Sequence, residues 1–96
     1  MKVLLHPEAE KELRTAILYY ESCESGLGID FHLEALSAIE KVNSFPLAWP
    51  IVSSPIRRCL LNRFPYGILY SVEEKEIFIV ALMNLHRDPD YWKERI

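Results

Sequence analysis

Arginine and aromatic side chains gather in two short segments of a chain that is acidic overall. The segments span residues 57–70 and 86–92, and the whole chain has a formal net charge of −3. Arginine suits phosphate or carboxylate groups, because its planar guanidinium can make two hydrogen bonds at once. We therefore predict that an anionic partner meets this half of the molecule. The candidate partner- or anion-binding residues are Arg57, Arg58, Arg63, Tyr66, Tyr70, Trp92 and Arg95.

These residues also have a purely structural interpretation. On a strand, alternation places Arg57 and Arg63 on one face and Arg58 on the other, and charges of this kind often protect the edge of a sheet. Tyr66 and Tyr70 are predicted to share a face. They could stack on bases, or they could pack against a half-buried core.

A second candidate site combines His86, Arg87 and Tyr91 near the predicted end of the last strand. An imidazole, a guanidinium and a phenol together could activate a ribose 2′-hydroxyl and stabilise a phosphorane. These would be the catalytic residues if the protein is a ribonuclease. The alternative is a structural clasp, in which residues 88–89 turn the chain while Tyr91 and Trp92 pack it down.

Length and composition predict one globular domain over residues 1–96. Half of the residues are hydrophobic and 26% are charged, which is ordinary for a folded domain. No run approaches the length of a membrane span, and residues 1–7 do not form a secretory signal. Cys23 and Cys59 lack the spacing of a disulfide framework or a metal site. We therefore expect a cytoplasmic protein with no metal and no cofactor.

Apolar periodicity predicts two helices after a short N-terminal strand. The strand covers residues 3–5, and the first amphipathic helix covers about 7–22. Gly26 and Gly28 break this helix and allow a tight reversal. A second helix then covers about 29–44, and the short connection favours an antiparallel helical hairpin.

The second half of the chain is predicted to be strands. Residues 56–64, 66–72 and 76–83 are rich in β-branched and aromatic residues, and 73–75 form a polar hairpin turn. Prolines between residues 45 and 56 are expected to prevent regular structure there. The predicted fold is α+β, with the N-terminal strand and a helical hairpin packed on a three- to four-stranded antiparallel sheet.

Motifs along the whole chain resemble one protein family. The chain is similar to the RelE/ParE superfamily, the toxin halves of bacterial type II toxin–antitoxin pairs, often named plasmid stabilisation proteins. The motifs that carry the resemblance are His6-Pro7-Glu8-Ala9, Tyr19-Tyr20-Glu21, Gly26-Leu27-Gly28, Phe64-Pro65-Tyr66-Gly67-Ile68-Leu69-Tyr70 and Arg87-Asp88-Pro89-Asp90-Tyr91-Trp92.

The resemblance implies one of two targets. RelE-like members cut messenger RNA on the ribosome with clustered basic side chains and a C-terminal tyrosine or histidine, whereas ParE-like members inhibit DNA gyrase. In this chain the 57–63 segment has arginines without lysines, and Asn84 stands where many close relatives have histidine. The acidic net charge also disfavours entry into the anionic ribosome. We therefore place the chain closer to ParE-like members.

The resemblance also implies partners. We expect a cognate antitoxin that neutralises the toxin in a hetero-oligomer, with acidic antitoxin residues on Arg57, Arg58 or Arg63. The expected target is DNA gyrase, contacted by the C-terminal segment 87–96. The alternatives are a ribosome-dependent mRNA endoribonuclease, which is an enzyme, and a non-toxic orphan binding module.

Overall fold

The computed structural model describes residues 1–96, arranged as one five-stranded sheet with two helices on one side. A single-turn 3-10 helix, Lys93–Arg95, lies in the C-terminal tail (residues 85–96). The main elements in chain order are β1 (Lys2–Leu5), α1 (Pro7–Cys23), α2 (Leu27–Ser44), β2 (Ile51–Ser53), β3 (Ile56–Leu60), β4 (Tyr66–Val72) and β5 (Glu76–Asn84).

The predicted α+β fold, with its helical hairpin on a sheet, is confirmed. The strand order is β1-β5-β4-β3-β2, so the sheet has five strands rather than three to four. The N-terminal strand joins the sheet, but it runs parallel to β5, while every other pair is antiparallel. The sheet is therefore mixed.

The two other differences lie on either side of β3. Residues 51–53 form an edge strand although prolines flank them, because a sheet edge tolerates prolines that a central strand would not. The predicted strand over 56–64 stops at Leu60. Beyond it, the backbone N–H groups of Asn62 and Arg63 donate to the Glu34 carboxylate on α2 instead of to a neighbouring strand.

Side chains of the hairpin cap the N-termini of both helices. At the start of α1, Nδ1 of His6 accepts a hydrogen bond from the backbone N–H of Glu8 (3.0 Å). Gly26 has a φ of +90°, a conformation that glycine adopts without steric cost. The Glu21 carboxylate accepts from the N–H groups of Gly26 and Gly28, both at 3.1 Å. This capping starts α2 at Leu27, slightly earlier than predicted.

The sheet has an apolar cluster on each side. On the helix face, the rings of Tyr20, Phe31, Phe64 and Tyr66 contact one another, with Phe31 and Phe64 5.0 Å apart between centroids. The opposite side, called the tail face here, is covered by the C-terminal tail. The buried residues of its cluster are Ile56, Leu69, Val80, Ala81, Met83 and Trp92.

Neither helix has the length and apolar character needed to cross a membrane.

The two helices lie close together at Gly28. A Cβ atom at this position would lie 2.6 Å from the carbonyl oxygen of Ile17 and 2.9 Å from Cβ of Glu21. Real side chains do not tolerate such distances, so the glycine is required by packing rather than by backbone conformation. The register of the hairpin depends on this contact.

We expect Gly28→Ala to destabilise the protein. At an open helical position the same change stabilises a helix by about 1 kcal/mol, but here the overpacking should lower the free energy of unfolding by about 1–3 kcal/mol. Urea denaturation measures the difference. Ser37→Ala, at an exposed position of α2, is the control and should stay within about 0.5 kcal/mol of the native protein. A Gly28→Ala variant as stable as the control would contradict the packing argument.

Candidate functional site at the carboxyl-terminal tail

Strand β5 contains a bulge beside the candidate site. Leu69 lies opposite Ala81 and Tyr70 lies opposite Ile79, which leaves Val80 without a partner on β4. A bulge of this kind breaks the alternation of side chains. Val80 and Ala81 consequently both pack into the cluster on the tail face.

The backbone near the bulge faces an open edge of the sheet. β1 pairs with β5 only as far as Ile79, so the following residues have no strand on that side. The N–H of Leu82 donates to the carboxylate of Glu12 (3.1 Å), and the carbonyl of Val80 accepts from the guanidinium of Arg95 (3.1 Å). Side chains thus satisfy backbone groups that a neighbouring strand would otherwise satisfy.

The carboxylate of Glu12, on α1, is the centre of this arrangement. Arg95 donates to it from both terminal nitrogens (2.9 and 3.0 Å), and the hydroxyl of Tyr91 donates at 2.6 Å. Nη1 of Arg87 lies 3.6 Å from the same carboxylate. The side chains of Glu12 and Arg95 are only 14% and 13% exposed. A half-buried ion pair is tolerated when hydrogen bonds compensate its lost hydration, as they do here.

These four residues, Glu12, Arg87, Tyr91 and Arg95, are called the Glu12 cluster. Within it, the guanidinium carbons of Arg87 and Arg95 lie 3.8 and 4.9 Å from the centre of the Tyr91 ring. Burial, followed by the hydrogen bond to Glu12 and its negative charge, raises the pKa of the Tyr91 phenol well above its usual value. The hydrogen bond to Glu12 likewise raises the pKa of Arg95. The Tyr91 phenol is therefore protonated at neutral pH and donates its hydrogen bond to Glu12.

The tail is attached to the body of the protein by side chains. The backbone N–H groups of Leu85 and Arg87 donate to the carbonyls of Pro65 and Asn84, but from residue 88 onward the backbone hydrogen bonds of the tail join only residues of the tail itself. Trp92 is 2% exposed, packs into the cluster on the tail face, and donates its indole N–H to the carbonyl of Pro89 (2.6 Å). Trp92 and the Glu12 cluster are thus the two anchors of the tail.

A groove runs beside the Glu12 cluster, between α1 and the open part of β5. Its first part has a volume of about 380 Å³ and its second about 390 Å³. The two parts share Thr15, Ala16, Tyr66 and Asn84, so they are continuous. The exposed side chain of His86 lines the second part and makes no hydrogen bond of its own.

The arginines of the 57–63 segment do not form one site. Nη1 of Arg57 donates to the carbonyl of Trp49 (2.7 Å), and Arg63 pairs with Asp30 (3.4 Å). Arg58 lies on the opposite face of the sheet, in a cavity lined by residues of the tail face. Alternation thus separates Arg57 from Arg58 as predicted, whereas Arg63 lies beyond the end of β3.

The two candidate tyrosines share the helix face, as predicted, but differ in accessibility. Tyr70 is fully buried and its hydroxyl donates to the carbonyl of Pro46 (2.7 Å). Tyr66 packs against Phe31, 5.0 Å between ring centroids, and borders the groove. Within the candidate catalytic set, Arg87 and Tyr91 belong to the Glu12 cluster, while His86 lies further along the groove.

Sequence reasoning overlooked Glu12. Together with Glu8 and Glu10 it reads as one of the acidic residues that favour a helix N-terminus. Its spacing carries a different signal, because Glu12 lies three residues after the buried Ala9 and four before the buried Ala16. A carboxylate on the buried face of a helix requires partners. Tyr91 and Arg95 in the C-terminal segment are suitable ones.

No three His, Cys, Asp or Glu side chains lie together in an arrangement that could hold a metal ion.

Comparison with known proteins identifies the fold. No protein-family model and no curated protein sequence matches this chain. Among solved structures, it is similar to a chain of the structure described as "Chromosomal ParDE TA system from P. aeruginosa". The TM-score is 0.63 at 22% sequence identity, and the match covers 90% of this chain and 97% of that chain. The RelE/ParE-like fold predicted from the sequence is thereby confirmed.

We expect Glu12→Gln to weaken the attachment of the tail. The amide keeps the shape but loses the charge that pairs with Arg95, so the free energy of unfolding should fall by about 2–4 kcal/mol. Thermal or urea unfolding measures this change. Glu10→Gln, on the exposed side of the same helix and paired only with Arg14, is the matched control and should lose less than about 1 kcal/mol. Equal effects of the two changes would refute a central role for Glu12.

The raised pKa of Tyr91 gives a second expected outcome. A group whose pKa is higher in the folded state stabilises the protein below its unfolded pKa, which is about 10 for tyrosine, and this stability falls as the pH rises above that value. Tyr91→Phe should remove this contribution. Above about pH 10, the unfolding free energy of the variant should therefore fall less steeply with pH than that of the native protein, by about 1.4 kcal/mol per pH unit. Urea unfolding between about pH 9 and pH 11 tests it. Identical slopes for the two proteins would exclude the proposed titration.

Proposed function

We propose that this chain is the toxin of a type II toxin–antitoxin system, a cytoplasmic growth inhibitor neutralised by a cognate antitoxin. The observation that carries the proposal is the similarity of the fold, over 90% of this chain, to a chain of a ParDE TA system. The family motifs found along the sequence support it independently. The antitoxin would bind this chain in a hetero-oligomer.

We further propose that the target is DNA gyrase rather than the ribosome. A ribonuclease would need basic and proton-transferring side chains gathered around one phosphate. Here Arg57 and Arg63 are engaged in separate contacts, and the phenol of Tyr91 is bound to Glu12. The net charge of −3 also disfavours binding to ribosomal RNA. These features support a protein target, contacted by residues 87–96.

The cellular part of the proposal is tested by controlled expression in bacteria. Expression of this chain alone should arrest growth, and co-expression of the gene next to it should restore growth. The Gly28→Ala variant is not suitable as an inactive control, because its folding is expected to be impaired. A control expected to stay folded and active is Ser37→Ala, at an exposed position of α2. Unimpaired growth with the native chain would contradict the toxin proposal.

The molecular target is tested with two assays on the purified protein. We expect inhibition of supercoiling by gyrase and no cleavage of a defined message during translation. His86→Ala should leave the inhibition of gyrase unchanged. In a ribonuclease that uses this imidazole for proton transfer, the same change should lower the cleavage rate by about 100-fold or more. Cleavage of the message with supercoiling unaffected would establish the ribonuclease alternative.

A further inference from the structure

Arg58 differs from the other arginines of this chain. Arg14, Arg57, Arg63, Arg87 and Arg95 each pair with a carboxylate or a backbone carbonyl. The guanidinium of Arg58 makes no hydrogen bond and no ion pair within the protein, although the residue is half-buried. A guanidinium presents five N–H donors and has no acceptor. Partial burial without a partner leaves these donors available to an incoming group.

The sheet is shaped to hold the Arg58 side chain in place. Gly67 lies diagonally across from Arg58 on the neighbouring strand β4. A Cβ atom at Gly67 would lie 3.2 Å from both Cγ and Cδ of Arg58. A glycine inside a strand often marks a place where another group approaches the backbone closely. Here it leaves room for the arginine stem to lie against the sheet.

Arg58 lines a cavity of about 250 Å³ between β2 and the tail. Its apolar part is formed by the exposed Val52 and by three residues of the buried cluster on the tail face, Leu69, Met83 and Trp92. Ser53 contributes a hydroxyl without a hydrogen-bond partner. An apolar wall with a few fixed polar groups is the usual composition of a site that takes one side chain of a partner.

The charges around the cavity favour a carboxylate over a polyphosphate. Lys93 also lines the cavity, but its ammonium group is paired with Asp90 at 3.2 Å. Arg58 is therefore the one cation there without a counter-charge, and it can balance one negative charge but not the several charges of a polyphosphate. A single carboxylate matches the guanidinium fork and adds one negative charge where one positive charge is unpaired.

The geometry points to this cavity, called the Arg58 site, as the place where the toxin receives an acidic side chain of its antitoxin. The identity of the partner rests on the proposed function, whereas the chemistry of the site does not. The glutamate or aspartate would bind Arg58 in a bidentate manner, with an apolar neighbour against the exposed Val52. The antitoxin would then cover the tail face, and Arg57 and Arg63 would keep their internal contacts.

A titration with two peptides tests the site without relying on toxicity. The probe is a blocked hexapeptide of alternating leucine and glutamate, and its comparison is the same peptide with glutamine for glutamate. The side-chain Nε–H resonance of Arg58, observed by NMR in the full chain, reports contact. We expect the acidic peptide to shift this resonance. Isothermal titration calorimetry measures the affinity of the native chain and its variants, and Arg58→Gln should weaken binding by at least about 10-fold. Gly67→Ala, which displaces the arginine stem, should also weaken binding.

Arg63→Gln is the matched control, because it removes the same charge from an exposed arginine of the same segment. It should change the affinity by less than about 2-fold. Three results would overturn the proposal: no shift at Arg58, equal losses for the Arg58 and Arg63 variants, or tighter binding of a single-stranded RNA hexamer at the same resonance. Growth arrest with no peptide binding would reject the site alone. Peptide binding without growth arrest would reject the proposed function alone.

Discussion

The buried carboxylate of Glu12 connects three parts of the chain that are distant in sequence. It joins α1 to the backbone of β5 and, through Arg95 and Tyr91, to the tail. A carboxylate in this position requires several donors, because its charge is otherwise too costly to remove from water. The bulge at Val80 and the position of the tail are both consistent with the need of the Glu12 carboxylate for hydrogen-bond donors. The second apolar cluster is in turn enclosed only because the tail is held in place.

The parts of the structure that depend on local patterns could be predicted from the sequence, whereas those that depend on long-range contacts could not. The helices and β4 and β5 follow from local periodicity and composition, which act over a few residues. Edge strand β2 could not be predicted in this way. Prolines precede and follow it, and its extended conformation depends on pairing with β3. The Glu12 cluster joins residues about 80 positions apart, and no local pattern records such a contact. A carboxylate on an apolar helix face was the one available signal.

The distribution of the arginines separates structural charges from candidate binding charges. Arg57 and Arg95 donate to backbone carbonyls, so their charge serves the fold itself. Arg63 pairs with the exposed Asp30, and Arg87 pairs with Glu12. Only Arg58 retains all of its donors. In a protein with an acidic net charge, one unpaired guanidinium is a more specific recognition element than a diffuse basic surface.

Attachment of the tail by side chains gives this protein two levels of stability. The backbone ladder of β4 and β5 opens only when the whole domain unfolds, whereas release of Trp92 and the Glu12 cluster frees the tail without breaking any strand. Amide hydrogens of the tail should therefore exchange with solvent faster than those of the central strands, through a local opening. Sequence change in the tail is accordingly tolerated by the domain, provided that the two anchors remain.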